Sequence, residues 1–125
     1  MKYETAKKIG EEILEQIKPY IIQGEITGSI RRKKPEVHDI DLVILPKNEF
    51  MIMENIKRVL KSYGMLDMGG SQIVRIKGKN DEEIDCYIAN GKNYEVLILI
   101  RTGSANHNIK LAKKAISLGM KLDFS

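Results

Sequence analysis

The sequence predicts an α/β domain in which one sheet layer carries helices packed on it. Three observations predict it. Apolar residues recur at helical spacing near the N-terminus, at Ala6, Ile9, Ile13, Leu14 and Ile17. The run Leu42-Val43-Ile44-Leu45 is apolar on both faces, as in a central strand. Helical and strand-like patterns also follow one another in the order α-β-β-α-β-β-β-α, which suits a sheet covered by helices.

Residues 3–18 form the first helix, starting near Tyr3 or Thr5 and stopped by Pro19. Residues 21–27, "IIQGEIT", read as a short strand. Gly28-Ser29 breaks it, and the polar "IRRKKPEVH" with Pro35 reads as a turn or short helical loop. Residues 39–45, "DIDLVIL", are the clearest strand, ended by Pro46. Asn48 is placed to cap a helix running to about Tyr63, with Ile52, Ile56, Val59 and Leu60 on one face. "GMLDMGG" reads as a connector, "SQIVRIKG" as a strand, "KNDE" as a hairpin turn and "EIDCYIA" as the partner strand. After the turn "NGK", the apolar "NYEVLILI" reads as a further strand. The segment "TGSANHNIKLAKKAISLGMKL" opens on a Gly-Ser turn and becomes a helix lined by Ile109, Ala112, Ala115 and Ile116, ending at Gly119.

The 125 residues fit one domain, and no repeat, linker or low-complexity stretch divides them. The net charge of +4 permits an anionic partner without demanding one. Cys86 is the single cysteine, so no disulfide or Cys/His metal cluster is formed, and a small buried hydrophobe is its expected role. The N-terminus is charged and amphipathic, unlike a signal peptide, and no apolar run approaches the ~18 residues of a membrane span. A reducing, cytoplasmic setting is the expectation.

Asp39 and Asp41 are two apart on a strand and therefore point to one face. Two carboxylates this close repel, and burying them is costly unless a cation lies between them. Mg²⁺ suits such a place, because it takes one or two carboxylates and completes its shell with water and substrate phosphates. Asp85 lies between Ile84 and Cys86 on a later strand, and joins the same site if that strand pairs beside residues 39–45. The plainer alternative is three strand-edge acids facing water.

The context upstream argues for the site. Gly28 lets backbone N–H groups approach an anion, Ser29 adds a hydroxyl donor, and Arg31 and Arg32 follow at once. Lys33 and Lys34 suit a solvated loop. Phosphate donors followed by paired carboxylates together describe a site for a metal-bound triphosphate.

Here a resemblance enters. "GSIRRKKPEVHDIDLVIL" resembles the signature of the DNA polymerase X (polymerase beta-like) group within the nucleotidyltransferase superfamily. "RTGSANHNIKLAKKAISLGMKL" resembles that family's Thr-Gly-Ser turn and following helix, and the third acid falls on a strand between the two motifs. The resemblance implies a nucleotidyltransferase palm, a mixed sheet of about five strands flanked by about three helices. It implies that Asp39 and Asp41 bind two Mg²⁺ ions, with Mn²⁺ as a substitute, and that Asp85 binds the catalytic ion and helps activate a primer 3′-hydroxyl. Gly28, Ser29 and Arg32 would hold the triphosphate, Thr102 and Gly103 would lie beside the sugar, and Asn108 would reach toward the base. The implied partners are an NTP or dNTP and DNA, in a repair setting.

Three positions depart from that pattern. Arg101 stands where an aromatic often precedes the Thr-Gly turn, Ala112 where DNA-polymerising members carry an arginine, and Glu83 where relatives often carry a basic residue. No lyase domain, thumb or helix-hairpin-helix glycine motif is expected within residues 1–125, so nucleotide should be held better than DNA. Two rival readings follow: transfer to a protein, tRNA or small-molecule acceptor, and a non-catalytic nucleotide- or DNA-binding module that works with a protein partner.

Overall fold

A computed structural model describes residues 1–79 and 82–103. The elements are α1 (Tyr3–Ile17), a 3₁₀ turn (Lys18–Tyr20), β1 (Ile21–Thr27), α2 (Gly28–Arg31), β2 (Asp39–Pro46), α3 (Ile52–Lys61), β3 (Met65–Gly69), β4 (Ile73–Lys77), β5 (Glu83–Ile88) and α4 (Tyr94–Thr102). The strands form one five-stranded sheet in the order β1-β2-β5-β4-β3. β2 and β5 run parallel; the other neighbours are antiparallel, so the sheet is mixed.

Strand alternation divides the interior between two faces. Ile40, Leu42 and Ile44 of β2, Ile84 and Cys86 of β5, and Val74 and Ile76 of β4 share one core with Ala6, Ile13 and Ile17 of α1 and Ile52, Ile56 and Leu60 of α3. Each such aliphatic side chain contributes about 1.5–3 kcal/mol on burial. On the opposite face Val43 and Ala89 pack with Tyr94 and Leu97 of α4 in a smaller cluster. The odd-numbered residues of β2, including Asp39 and Asp41, belong to this second face.

Two sequence-based assignments are corrected. "NYEVLILI" is helix α4, not a strand. Its apolar run carries no period of its own, so tertiary contact decides: Tyr94, Leu97 and Ile100 are buried at three-residue spacing, while Leu99 stays 53 % exposed. Asn90 helps start the helix, its side-chain oxygen accepting from the N–H groups of Lys92 and Asn93. The supposed connector "GMLDMGG" instead holds strand β3, paired antiparallel with β4. Every residue of β3 is exposed, so no buried alternation marks it in the sequence. The two corrections leave the strand count among the described residues at five.

The α3 helix begins at Ile52 after Met51 in a left-handed conformation (φ 62°), so Asn48 is not its cap. Residues 80–81, the centre of the expected hairpin turn, and residues 104–125, which carry the expected last helix, lie outside the described residues.

Candidate active site

The site gathers where β1 ends and β2 and β5 begin. Thr27, the last residue of β1, pairs with Asp41, and its hydroxyl donates to the Asp41 carbonyl at 3.2 Å. The chain then turns through Gly28 at φ +66°, which suits glycine, into the single turn of α2. A Cβ at Gly28 would meet the Asp41 carboxylate oxygen Oδ2 at 2.2 Å. The Gly-Ser turn is thus laid directly against the Asp41 carboxylate.

Parallel pairing of β2 with β5 sets Asp41 opposite Asp85 and Asp39 opposite Glu83. Neighbouring strands lie ~4.8 Å apart, so the acids face one another across the ladder. Asp85 is 3 % exposed, Asp41 half-buried and Asp39 exposed. Burial raises the Asp41 carboxyl to about 7, and repulsion from Asp85 and Asp39 adds to the rise, opposed by Arg101. Burial likewise raises Asp85 to about 6, against a hydrogen bond from Arg75. The plain alternative of water-facing acids fails for Asp41 and Asp85.

The site thus brings the carboxylates of β2 and β5 together, with Arg75 and Arg101 beside them. Hard carboxylate oxygens such as those of Asp41 and Asp85 suit a Mg²⁺ ion, which needs only one or two of them beside water and phosphate. Among the described residues no three acid, His or Cys side chains form a group that could hold a metal ion by themselves.

Arg32 reaches across from the cradle. It donates through one guanidinium nitrogen to the Thr102 carbonyl at 2.8 Å and the Gly103 carbonyl at 3.5 Å, and through the other to the Ser29 hydroxyl at 3.5 Å. Arg32, Ser29, Thr102 and Gly103 thus meet, although the motifs are about 70 residues apart. Arg31 pairs with Glu25 instead. His38 and Lys33–Lys34 are exposed. Asn108 and His107 lie outside the described residues.

Sequence reasoning missed two arginine contacts. Arg75 of β4 donates from Nε to Asp85 Oδ1 at 2.7 Å and lies 3.5 Å from Glu83, which Lys77 holds at 2.9 Å. Those bonds keep the Glu83 carboxyl below its ordinary range despite burial. The alternating "IVRIK" facing "EID" across a hairpin was the available signal: two cations and two acids in matching register. Arg101 lies over the Tyr87 ring at 4.2 Å, a cation–π contact beside Asp41. Cys86 is buried in the core, and burial pushes its thiol up to about 12, which leaves it inert. A recess of about 380 Å³ opens beside Asp39, whereas a separate cleft of about 540 Å³ between β1 and α4 touches none of the three acids.

No helix among the described residues is long and apolar enough to cross a membrane. No sequence-family profile and no curated protein matches the chain. By structure it is similar to a ternary P/T complex of Leishmania infantum polymerase beta, with a TM-score of 0.82 at 20% identity over 98% of this chain. The match takes up 55% of that polymerase chain, so the present chain spans little more than half its length. The chain thus shares its fold, a five-stranded mixed sheet with its helices, with the matched part of that polymerase.

Proposed function

We propose that the chain is a metal-dependent nucleotidyltransferase of the DNA polymerase X type. It transfers a nucleoside monophosphate from an NTP or dNTP to a hydroxyl, a DNA primer 3′ end being the favoured acceptor, and releases pyrophosphate. The observation that carries this reading is the register of Asp41 against Asp85, with the Gly28 turn laid on the Asp41 carboxylate.

Asp39, Asp41 and Asp85 would hold Mg²⁺ or Mn²⁺, and Gly28, Ser29 and Arg32 the triphosphate. Bound there, the metal would supply Lewis acidity at the phosphoryl oxygens and a lowered pKa for the attacking hydroxyl. Asp85, aligned with Asp41 at the start of the parallel strands, would accept the acceptor's proton. The acceptor oxygen bonds to the α-phosphorus, the bond from that phosphorus to the bridging oxygen breaks, and pyrophosphate leaves with the electron pair. Gly28 and Ser29 donate to the phosphate oxygens that gain charge. Arg32 contributes positive charge there while fixing the Thr102–Gly103 turn that would flank the sugar.

The reading is tested by incorporation of labelled dNTP and rNTP with Mg²⁺ on gapped, nicked and single-stranded DNA, beside Asp41→Ala. Template-directed extension that disappears in the variant is the expected result. Extension that persists in Asp41→Ala would remove the site from the chemistry. Mg-nucleotide binding without extension on any DNA would replace the DNA acceptor by another hydroxyl.

A further inference from the structure

Asp85 stands between two unlike neighbours. On its β2 side lies Asp41, an acid; on its β4 side lies Arg75, directly opposite in the antiparallel ladder. Arg75 engages Oδ1 through Nε at 2.7 Å. The Arg75 side chain is 28 % exposed and that of Asp85 only 5 %, so the bond forms at the rim of a closed environment. Glu83 projects from the same face of β5, two residues before Asp85, and would otherwise crowd it with a second negative charge. Lys77 draws Glu83 to its own end of the ladder at 2.9 Å, leaving Arg75 between the two carboxylates.

We propose that Arg75 is a positioning residue, fixing the Asp85 carboxylate from the β4 side so that it faces Asp41 across the metal site. This rests on the metal-dependent reading above. Arg75 acts only through Asp85. An ordinary cross-strand pair would staple β4 to β5 and nothing more; here the acid that is held belongs to the proposed metal site. Outer partners that orient metal-binding carboxylates change metal affinity or activity by about 10–100-fold when removed.

Simple charge and positioning predict opposite signs. Deleting a cation beside a metal site should strengthen metal binding; loss of a held ligand should weaken it. The test is Mn²⁺ binding to the whole, nucleotide-free chain, followed by the loss of the free-ion resonance, for wild type and Arg75→Gln. Arg75→Gln should bind Mn²⁺ about tenfold more weakly despite its lost positive charge. Equal or tighter binding overturns the proposal. Should Arg75→Gln fail to fold, Arg75→Lys decides: it keeps the charge but loses the Nε fork, and should weaken binding by roughly threefold, whereas unchanged binding overturns the proposal. In turnover, Arg75→Gln should lower kcat with the nucleotide KM within about twofold, since the phosphate donors are untouched. If wild type turns over no substrate while the Mn²⁺ order holds, the transfer reading fails and the role of Arg75 stands. If wild type binds no Mn²⁺, both fail.

Discussion

Asp41 of β2 and Asp85 of β5 are register partners in the parallel β2–β5 pair, and both are withdrawn from water. Their carboxyls titrate at about 7 and about 6 for the same leading reason, burial. Two neutral residues would serve the fold better at these positions. A protein that keeps acids there holds them at a cost in stability, and the cost has a sign that can be measured.

That sign sets the first prediction. The folded state keeps a proton on Asp41 that the unfolded chain has released near 3.8. This contribution to stability is present below the unfolded pKa and is lost as pH rises through about 7. The metal-free protein should melt at a lower temperature at about pH 8 than at about pH 5, and Asp41→Asn should flatten that difference. Added Mg²⁺ should raise the melting temperature at about pH 8 and have little effect at about pH 5, where the acids are protonated. Scanning calorimetry across that range checks all three.

Gly28 gives the second. Gly28→Ala places a methyl 2.2 Å from Asp41 Oδ2 at a φ of +66°. Backbone strain alone costs about 1–3 kcal/mol, and the displaced carboxylate adds to it. Denaturant unfolding should show the lower stability. Nucleotide transfer should fall further than stability explains, because the same methyl intrudes on the acid.

Arg32 gives the third. Arg32→Ala should weaken triphosphate binding by roughly 1.5–3 kcal/mol, the value of a charge-assisted bond. It also removes the bonds to Thr102 and Gly103, so binding of the sugar should loosen with it. Calorimetric titration with a nucleoside triphosphate and with its monophosphate separates the two: the triphosphate should lose more. Equal losses would place Arg32 at the turn alone.

The rate–pH profile gives the fourth. At subsaturating Mg²⁺, activity should rise through an acid limb at about pH 6–7, where protons compete with the metal for Asp85 and Asp41, and the limb should move to lower pH as Mg²⁺ is raised. Asp85→Glu should retain a weakened limb, and Asp85→Asn should abolish turnover.

Most of the site was legible because its parts are local. Gly28, Ser29, Asp39 and Asp41 fall within one short stretch, and period-two alternation alone puts the acids on one face. Asp85 was legible as an acid set among apolar strand neighbours. The missed pieces were missed for physical reasons. α4 reads as a strand because an apolar run has no period until something covers one side of it. β3 buries nothing, so it leaves no pattern. Arg75 looked like any strand-borne cation until the antiparallel register set it against Asp85. The partnership of Arg32 with Thr102 depends on long-range folding that no spacing reveals.

The most direct measurement of the central claim is calorimetric binding of a non-hydrolysable nucleoside triphosphate with Mg²⁺ and with EDTA, for wild type and Asp41→Asn. The account predicts binding that requires Mg²⁺ and falls by at least about tenfold in the variant. Binding of equal strength in EDTA, or undiminished in Asp41→Asn, would contradict it.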